Sequence, residues 1–271
     1  MKITAIKPIL VNAGNMNWVF VKVETDVAGL WGWGEGSLEW KPNAVAGAIT
    51  DMFQLVKGQD PRRVEHVWQI LYRQAFYRGG VAVLSAISGI DQACWDILGK
   101  SLGAPVYQLL GGAVRDKVRV YGHMTGDGKT RKKPLSLGDT AKASLTTGNL
   151  TALKCGPSRF NRPVEGLAAL KQVERQMTEI RKAVGDDVDL MVDLHGRCTP
   201  AMGCRYGQAL EGLGLLFLEE PVLPYSVNGM AKVARDANDI PTATALEARA
   251  TERLGRLAAA ADADAQLAVT L

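Results

Sequence analysis

A chain of 271 residues with 47% hydrophobic content is long enough to bury a substantial core in one or two domains. Its 32 basic and 28 acidic residues leave a net charge of +4 without a long basic block, so neither nucleic acid nor a membrane surface is called for, and KTRKK at Lys129–Lys133 reads as a solvated loop. The start, MKITAIKPILVNAG, lacks a basic segment followed by an apolar one, the four cysteines lack CxxC spacing, and a soluble cytoplasmic protein with free thiols is expected.

Lys2–Val11 and Trp18–Glu24 alternate in period two, and Leu30–Gly34 follows a turn at Thr25–Gly29. With the short polar loop Asn12–Asn17, these predict an antiparallel meander. Helices follow. Asp60-Pro61 reads as the cap and first turn of one that carries Val64, Val67, Trp68 and Leu71 inward. A second is expected over Val81–Leu102, with Ile87, Ile90, Cys94, Trp95 and Leu98 on one stripe and Gly103 and Pro105 closing it, and a short third ends at Gly111-Gly112. From Val118 the pattern alternates strand and helix. Strands are expected at Val118–Tyr121, Thr151–Lys154, Val188–Asp193, Leu215–Glu219 and Pro241–Thr244, with a sixth near Gln266–Thr270. Helices between them include Pro163–Val184 and one opening at Thr199-Pro200. Repeated β/α units of about 25–35 residues predict a parallel sheet, open or closed into a barrel, and five or six strands fall short of the eight of a closed one.

The runs DLMVDLHGR and LGLLFLEEP are short and apolar, without helical period, and each delivers acids at its C-terminal end. Both are expected to be parallel strands buried on both faces. Asp193 and Glu219 lie 26 residues apart, about one β/α repeat, so adjacent strands would present both carboxylates at one rim. Converging carboxylates suit a hard cation such as Mg²⁺; the bland alternative is that they cap helices or pair with Arg and Lys. His195, two residues beyond Asp193, is expected to point the same way on a strand and to serve as general acid or base. Lys154 ends another strand, where its ammonium would bind a substrate carboxylate, act as a base if its pKa were lowered, or form a salt bridge with the neighbouring acids. His123 follows a barrel strand and is a pocket candidate; His66 reads as structural.

The chain resembles the enolase superfamily, in the mandelate racemase and muconate lactonizing enzyme group and most of all its D-galactonate dehydratase branch. The residues that carry the resemblance are VFVKVETD, GWGE, GQDP at Gly58–Pro61, FYRGG at Phe76–Gly80, SAISGIDQACWDILGK at Ser85–Lys100 and QLLGG at Gln108–Gly112. In the second half they are TALK at Thr151–Lys154, DLHGR at Asp193–Arg197 and LEEPVLP at Leu218–Pro224. The resemblance implies an α+β capping domain, residues 1–116, and a modified (β/α)7β TIM-type barrel, incomplete here, over residues 117–271. It implies a Mg²⁺-dependent hydro-lyase of carbohydrate acid catabolism that converts an aldonate such as galactonate to a 2-keto-3-deoxy acid, and a symmetric homo-oligomer. Asp193 and Glu219 match the first two metal ligands and His195 the acid that protonates the departing hydroxyl. Lys154, His123 and Arg197 are the substrate-binding candidates.

After Ile240-Pro241 the family reads approximately IATGER, whereas this chain has TATALEAR. Strict register puts Leu246 at the third metal ligand and leaves Glu247 one place late, so Glu247 serves only if the strand bulges; Glu252 is a further candidate. Beyond Thr244 the motifs lapse, as in a truncated or frame-disrupted gene product, which resequencing the downstream bases would test. Little or no turnover is therefore expected. The alternatives are a non-catalytic remnant with exposed sheet edges and a racemase or epimerase of the same superfamily.

Overall fold

Val19, Val21 and Val23 point alternately inward along one strand and are fully buried, while Trp18, Phe20 and Lys22 take the opposite face. This strand is the centre of a three-stranded antiparallel sheet, β1 (Ile3–Asn12), β2 (Asn17–Thr25) and β3 (Trp31–Glu35), the predicted meander. The computed structural model describes residues 1–14, 16–73, 76–124, 135–156 and 162–236. The chain divides into two units, Met1–Lys117 and Val118–Leu271.

In the first unit the sheet packs on α1 (Pro42–Val56), α2 (Val64–Arg73) and α3 (Val81–Leu102), followed by the short α4 (Val106–Leu109). Helix α3 has the predicted bounds, and Gly103 closes it in the left-handed conformation with φ 64°. Its Ile87, Ile90 and Cys94 are buried in the core, with Trp95 and Leu98 partly buried against it. It is long and apolar enough to cross a membrane, yet here it is the central core helix. Helix α1 was not anticipated, although Val45, Ile49, Met52 and Val56 keep helical spacing and are all buried. The predicted cap at Asp60 is corrected. Its carboxylate accepts the Arg62 N–H at 3.0 Å and closes a turn, and α2 begins only at Val64.

The motifs GWGE and SAISGIDQACWD are two sides of one contact. A Cβ on Gly32, Gly34 or Gly36 would collide with the backbone carbonyl of Ala93, Gly89 or Ser85. Two residues advance a strand by about 6.6 Å and four advance a helix by about 6.0 Å, so the two spacings stay in step. Among the described residues strand β3 pairs with β2 on one side, and α3 lines its other edge. Asp96 accepts the Trp33 N–H at 2.9 Å, Gln92 accepts the Glu35 N–H at 3.0 Å and donates to Glu35 O at 3.1 Å, and Lys100 Nζ donates to Trp31 O at 2.9 Å. An edge covered in this way cannot recruit another strand.

Among its described residues the second unit carries four parallel strands in the order β4 (Gly122–His123), β5 (Ala152–Cys155), β6 (Asp189–Asp193) and β7 (Leu215–Glu219). Between and after them run α5 (Leu137–Gly148), α6 (Leu167–Val184), α7 (Pro200–Leu210) and α8 (Val227–Asp236). Thr199 caps α7, its hydroxyl accepting the Met202 N–H at 3.3 Å with Pro200 in the first turn, as predicted. Helix α6 starts four residues later than predicted, because Gly166 is still extended. The strand expected at Val118–Tyr121 shrinks to two residues further on. β5 begins at Ala152, level with Tyr121, so the chain before Tyr121 lies opposite no residue of β5, and Val118 and Val120 are exposed. β6 is buried on both faces, but β7 is not. Among the described residues it has a neighbour on one side only, which leaves Leu216 57% exposed. The strands expected at Pro241–Thr244 and Gln266–Thr270, and the Lys129–Lys133 loop, lie outside the described residues.

Alternation sorts these strands into two faces. Leu153, Cys155, Leu190 and Val192 pack with Ala141, Val173, Met177, Ile180, Met202 and Tyr206 from the helices. The register His123, Lys154, Met191, Phe217 fills the other face, and Asp193 pairs laterally with Glu219 two residues further on.

Candidate active site

At the C-terminal ends of β5, β6 and β7, three charged groups meet. Lys154 Nζ donates to Asp193 Oδ2 at 3.0 Å and to Glu219 Oε2 at 2.6 Å. The Lys154 and Asp193 side chains are each 9% exposed and that of Glu219 34%. Alternation and register bring them together: Asp193 and Glu219 end their strands and Lys154 is the last but one of its own, all on the face away from the helices, and the ammonium lies between two carboxylates that would otherwise repel. The predicted convergence of Asp193 and Glu219 is present, and so is the salt bridge offered as one alternative for Lys154.

Burial by itself would push the Lys154 amine down, but the hydrogen bonds to Glu219 and Asp193 outweigh it and hold the amine above its ordinary value. Burial likewise pushes the Asp193 carboxyl up, and hydrogen bonds from Lys154 Nζ and the His195 N–H outweigh it, leaving the carboxyl below its ordinary range. The direction is opposite to the lowering that the base alternative for Lys154 requires, and the salt bridge is the alternative that forms in this arrangement.

His195 is not on the strand. β6 ends at Asp193, and His195 turns into the left-handed region with φ 52°. Its N–H donates to Asp193 Oδ1 at 2.8 Å, and its Nδ1 lies 3.4 Å from the same oxygen, with the ring 54% exposed. The imidazole therefore reaches the carboxylate by a turn, where a continued strand had been expected. Glu220, after β7, is also left-handed with φ 41°, and the backbone ladder continues through both turns: Leu194 N–H to Glu219 O at 3.0 Å and Gly196 N–H to Glu220 O at 2.8 Å. Left-handed residues other than glycine store strain and gather at functional sites.

Arg197 is exposed, its backbone N–H donating to Leu194 O at 3.2 Å. His123 is exposed beside Lys154 in register. His66 is half-buried on α2. Glu247 and Glu252 lie outside the described residues. Two aromatic residues went unremarked in the sequence. Tyr121 lies 5.7 Å from Lys154 Nζ at its ring centroid, and Phe217 meets Tyr121 edge-on at 6.3 Å. Tyr121 precedes His123 by two residues, the one signal that placed it on this face. In the first unit Asn12, Gly14, Met16, Asn17, Trp40 and Pro42 line an open pocket of about 240 Å³.

Two carboxylate oxygens directed at one cationic position form a hard donor set that fits a divalent ion of the Mg²⁺ type. Among the described residues no cluster of three or more His, Cys, Asp or Glu completes it.

Residues 3–111 match the family described as mandelate racemase / muconate lactonizing enzyme, N-terminal domain, and residues 136–268 match the enolase C-terminal domain-like family. The second match runs on past Thr244, where the motifs had been expected to lapse. The D-galactonate dehydratase of Verminephrobacter eiseniae is 41% identical over 217 residues, 80% of this chain and 55% of that protein. The chain thus spans about half the length of the curated relatives it matches. A solved member of the enolase superfamily from Salmonella Typhimurium superposes with a TM-score of 0.79 at 30% identity, covering 87% of this chain and 65% of that one. An enolase from Pantoea ananatis, solved with bound D-gluconate and Mg, gives 0.72 at 31% identity, covering 86% and 63%. The capping-type α+β unit, the parallel β/α unit and these matches agree: the chain belongs to the mandelate racemase/muconate lactonizing enzyme family of the enolase superfamily.

Proposed function

We propose that this chain carries the metal and acid half of an acid-sugar dehydratase site, acting on an aldonate such as galactonate. The carrying observation is that Asp193 and Glu219, from adjacent parallel strands, both lie within 3.0 Å of one cationic position, with His195 Nδ1 3.4 Å from the first carboxylate. Asp193 and Glu219 would hold Mg²⁺, with Glu247 the candidate for a third ligand. Bound there, the ion would offset the charge that develops on a substrate carboxylate as the α-proton leaves. His195, exposed and directed by Asp193, gives its proton to the β-hydroxyl as that group departs, and the resulting enol tautomerises to the 2-keto-3-deoxy acid. Lys154, Arg197 and His123 bind and orient the acid. Lys154 contributes positive charge beside the two carboxylates. A capping domain of residues 1–116 and a barrel domain of residues 117–271, a cytoplasmic location and a homo-oligomer complete the proposal. Nucleic acid and membrane are not partners in it.

The resemblance favours dehydration over racemisation, because the racemases of the superfamily carry a pair of lysines on this strand and here Lys154 is followed by Cys155-Gly156. The test is a panel of aldonic and aldaric acids incubated with the full chain and Mg²⁺, read by calorimetric binding and by detection of 2-keto-3-deoxy product. The expected result is binding of an aldonate that depends on Mg²⁺ and Asp193, with product at a low rate that His195→Asn abolishes. Neither binding nor product from any acid would sink the proposal, and racemised acid without keto product would replace it with the alternative.

A further inference from the structure

Lys154 occupies the position that a cation shared by Asp193 and Glu219 would take. Its Nζ is 3.0 Å from one carboxylate and 2.6 Å from the other, and the side chain is 9% exposed. An ion of the Mg²⁺ type binds carboxylate oxygens at about 2.0–2.1 Å, so it and the ammonium exclude each other from that point. The two carboxylates repel in a partly buried setting and need positive charge between them, whichever group supplies it. The Tyr121 ring, with its centroid 5.7 Å from Nζ, gives the displaced ammonium a second favourable surface.

We propose that Lys154 is a tethered counter-cation. It holds the strand-end carboxylates together when no divalent ion is bound, and the ion must displace it to bind. Displacement frees the ammonium for the carboxylate of an incoming acid, so assembly is ordered: divalent cation first, acid second. This rests on the reading of Asp193 and Glu219 as metal ligands, and it assigns Lys154 a role before any substrate arrives.

The experiment compares the full-length wild-type chain with Lys154→Met, Asp193→Asn and the double variant, by thermal unfolding in chelator and by calorimetric titration with MgCl₂. Removing the competitor is expected to tighten Mg²⁺ binding by at least about tenfold in Lys154→Met. That variant also has a lower Tm than wild type in chelator, regained on adding Mg²⁺. Equal Mg²⁺ affinity in wild type and Lys154→Met, or weaker affinity in the variant, overturns the proposal. If neither chain binds Mg²⁺, the metal-site reading fails and ordered assembly fails with it. The counter-cation role is then read without metal. Asp193→Asn lowers the Tm of the wild type but raises that of Lys154→Met, because in the second case it removes a repelling charge. A fall in both backgrounds overturns that role, and so does a Lys154→Met chain that does not fold and is not rescued by Asp193→Asn.

Discussion

The glycines of GWGE carry a stability prediction of defined sign. A Cβ added to Gly34 overlaps the Gly89 carbonyl oxygen and comes within 2.9 Å of Gly89 C and 3.0 Å of Ala93 N, all of it backbone of α3. No side-chain rotation relieves that, so sheet and helix must part by about 1 Å, enough to forfeit a quarter to a half of each dispersion contact across the seam. Val21, Ile87, Ile90 and Ile97, all essentially fully buried there, would feel it. Gly34→Ala is expected to cost at least about 3 kcal/mol, at or above the usual range for overpacking. Gly47→Ala is the control. It lies in α1 with nothing within 4 Å of the added Cβ, and the same chemical change should stabilise by about 0.5–1 kcal/mol through helix propensity. All six tryptophans lie between Trp18 and Trp95, so their fluorescence during urea unfolding reports the Met1–Lys117 unit alone. A Gly34→Ala chain within about 0.5 kcal/mol of wild type at unchanged m-value, or two variants of the same sign, would refute the close-approach argument.

Two further expectations are cheaper to test. The Arg62 guanidinium holds the Asp60 carboxyl down to about 2, and because the folded pKa is depressed, the contribution is present above the ordinary carboxylate range and lost as pH falls through about 2. Asp60→Asn keeps the turn acceptor and removes the charge. The stability gap to wild type should be about 0.5–1 kcal/mol at neutral pH, since the pair is largely exposed, and should close near pH 2; a gap that does not change with pH would count against it. All four cysteines are buried free thiols; burial pushes Cys94 up to about 12 and Cys155, Cys198 and Cys204 up to about 11, with Asp236 adding to the effect at Cys204. Iodoacetamide labelling at pH 8 should be slower in the native chain than in urea by about a hundredfold or more. A cysteine labelled equally fast in both states would show that its burial is not as described.

Local pattern was enough for much of the architecture. The period-two alternation of β2, the uninterrupted apolar stripe of α3 and the Thr199-Pro200 start of α7 each depend on neighbours a few residues away, and each was legible as a string. The strand-end position of Asp193 and Glu219 was legible for the same reason. Helix α1 was overlooked although its stripe is regular, and the cap at Asp60 was misplaced because an Asx turn and a helix cap use the same residues. Strand β4 was overestimated, because an alternating run becomes a strand only where a neighbouring ladder exists to pair with it.

By itself, then, the sequence determined most element types, the family and the rim on which the acids lie, since these follow from local periodicity and short motifs. Tertiary structure decided what those acids touch. Lys154 meets Asp193 across 39 residues and Glu219 across 65, separations that no local period encodes. That contact holds the amine above its ordinary value and places its charge where a metal would bind. The left-handed turn at His195 was equally out of reach: it depends on the carboxylate that accepts its N–H and on the ladder to Glu220, both of which exist only once β6 and β7 lie side by side.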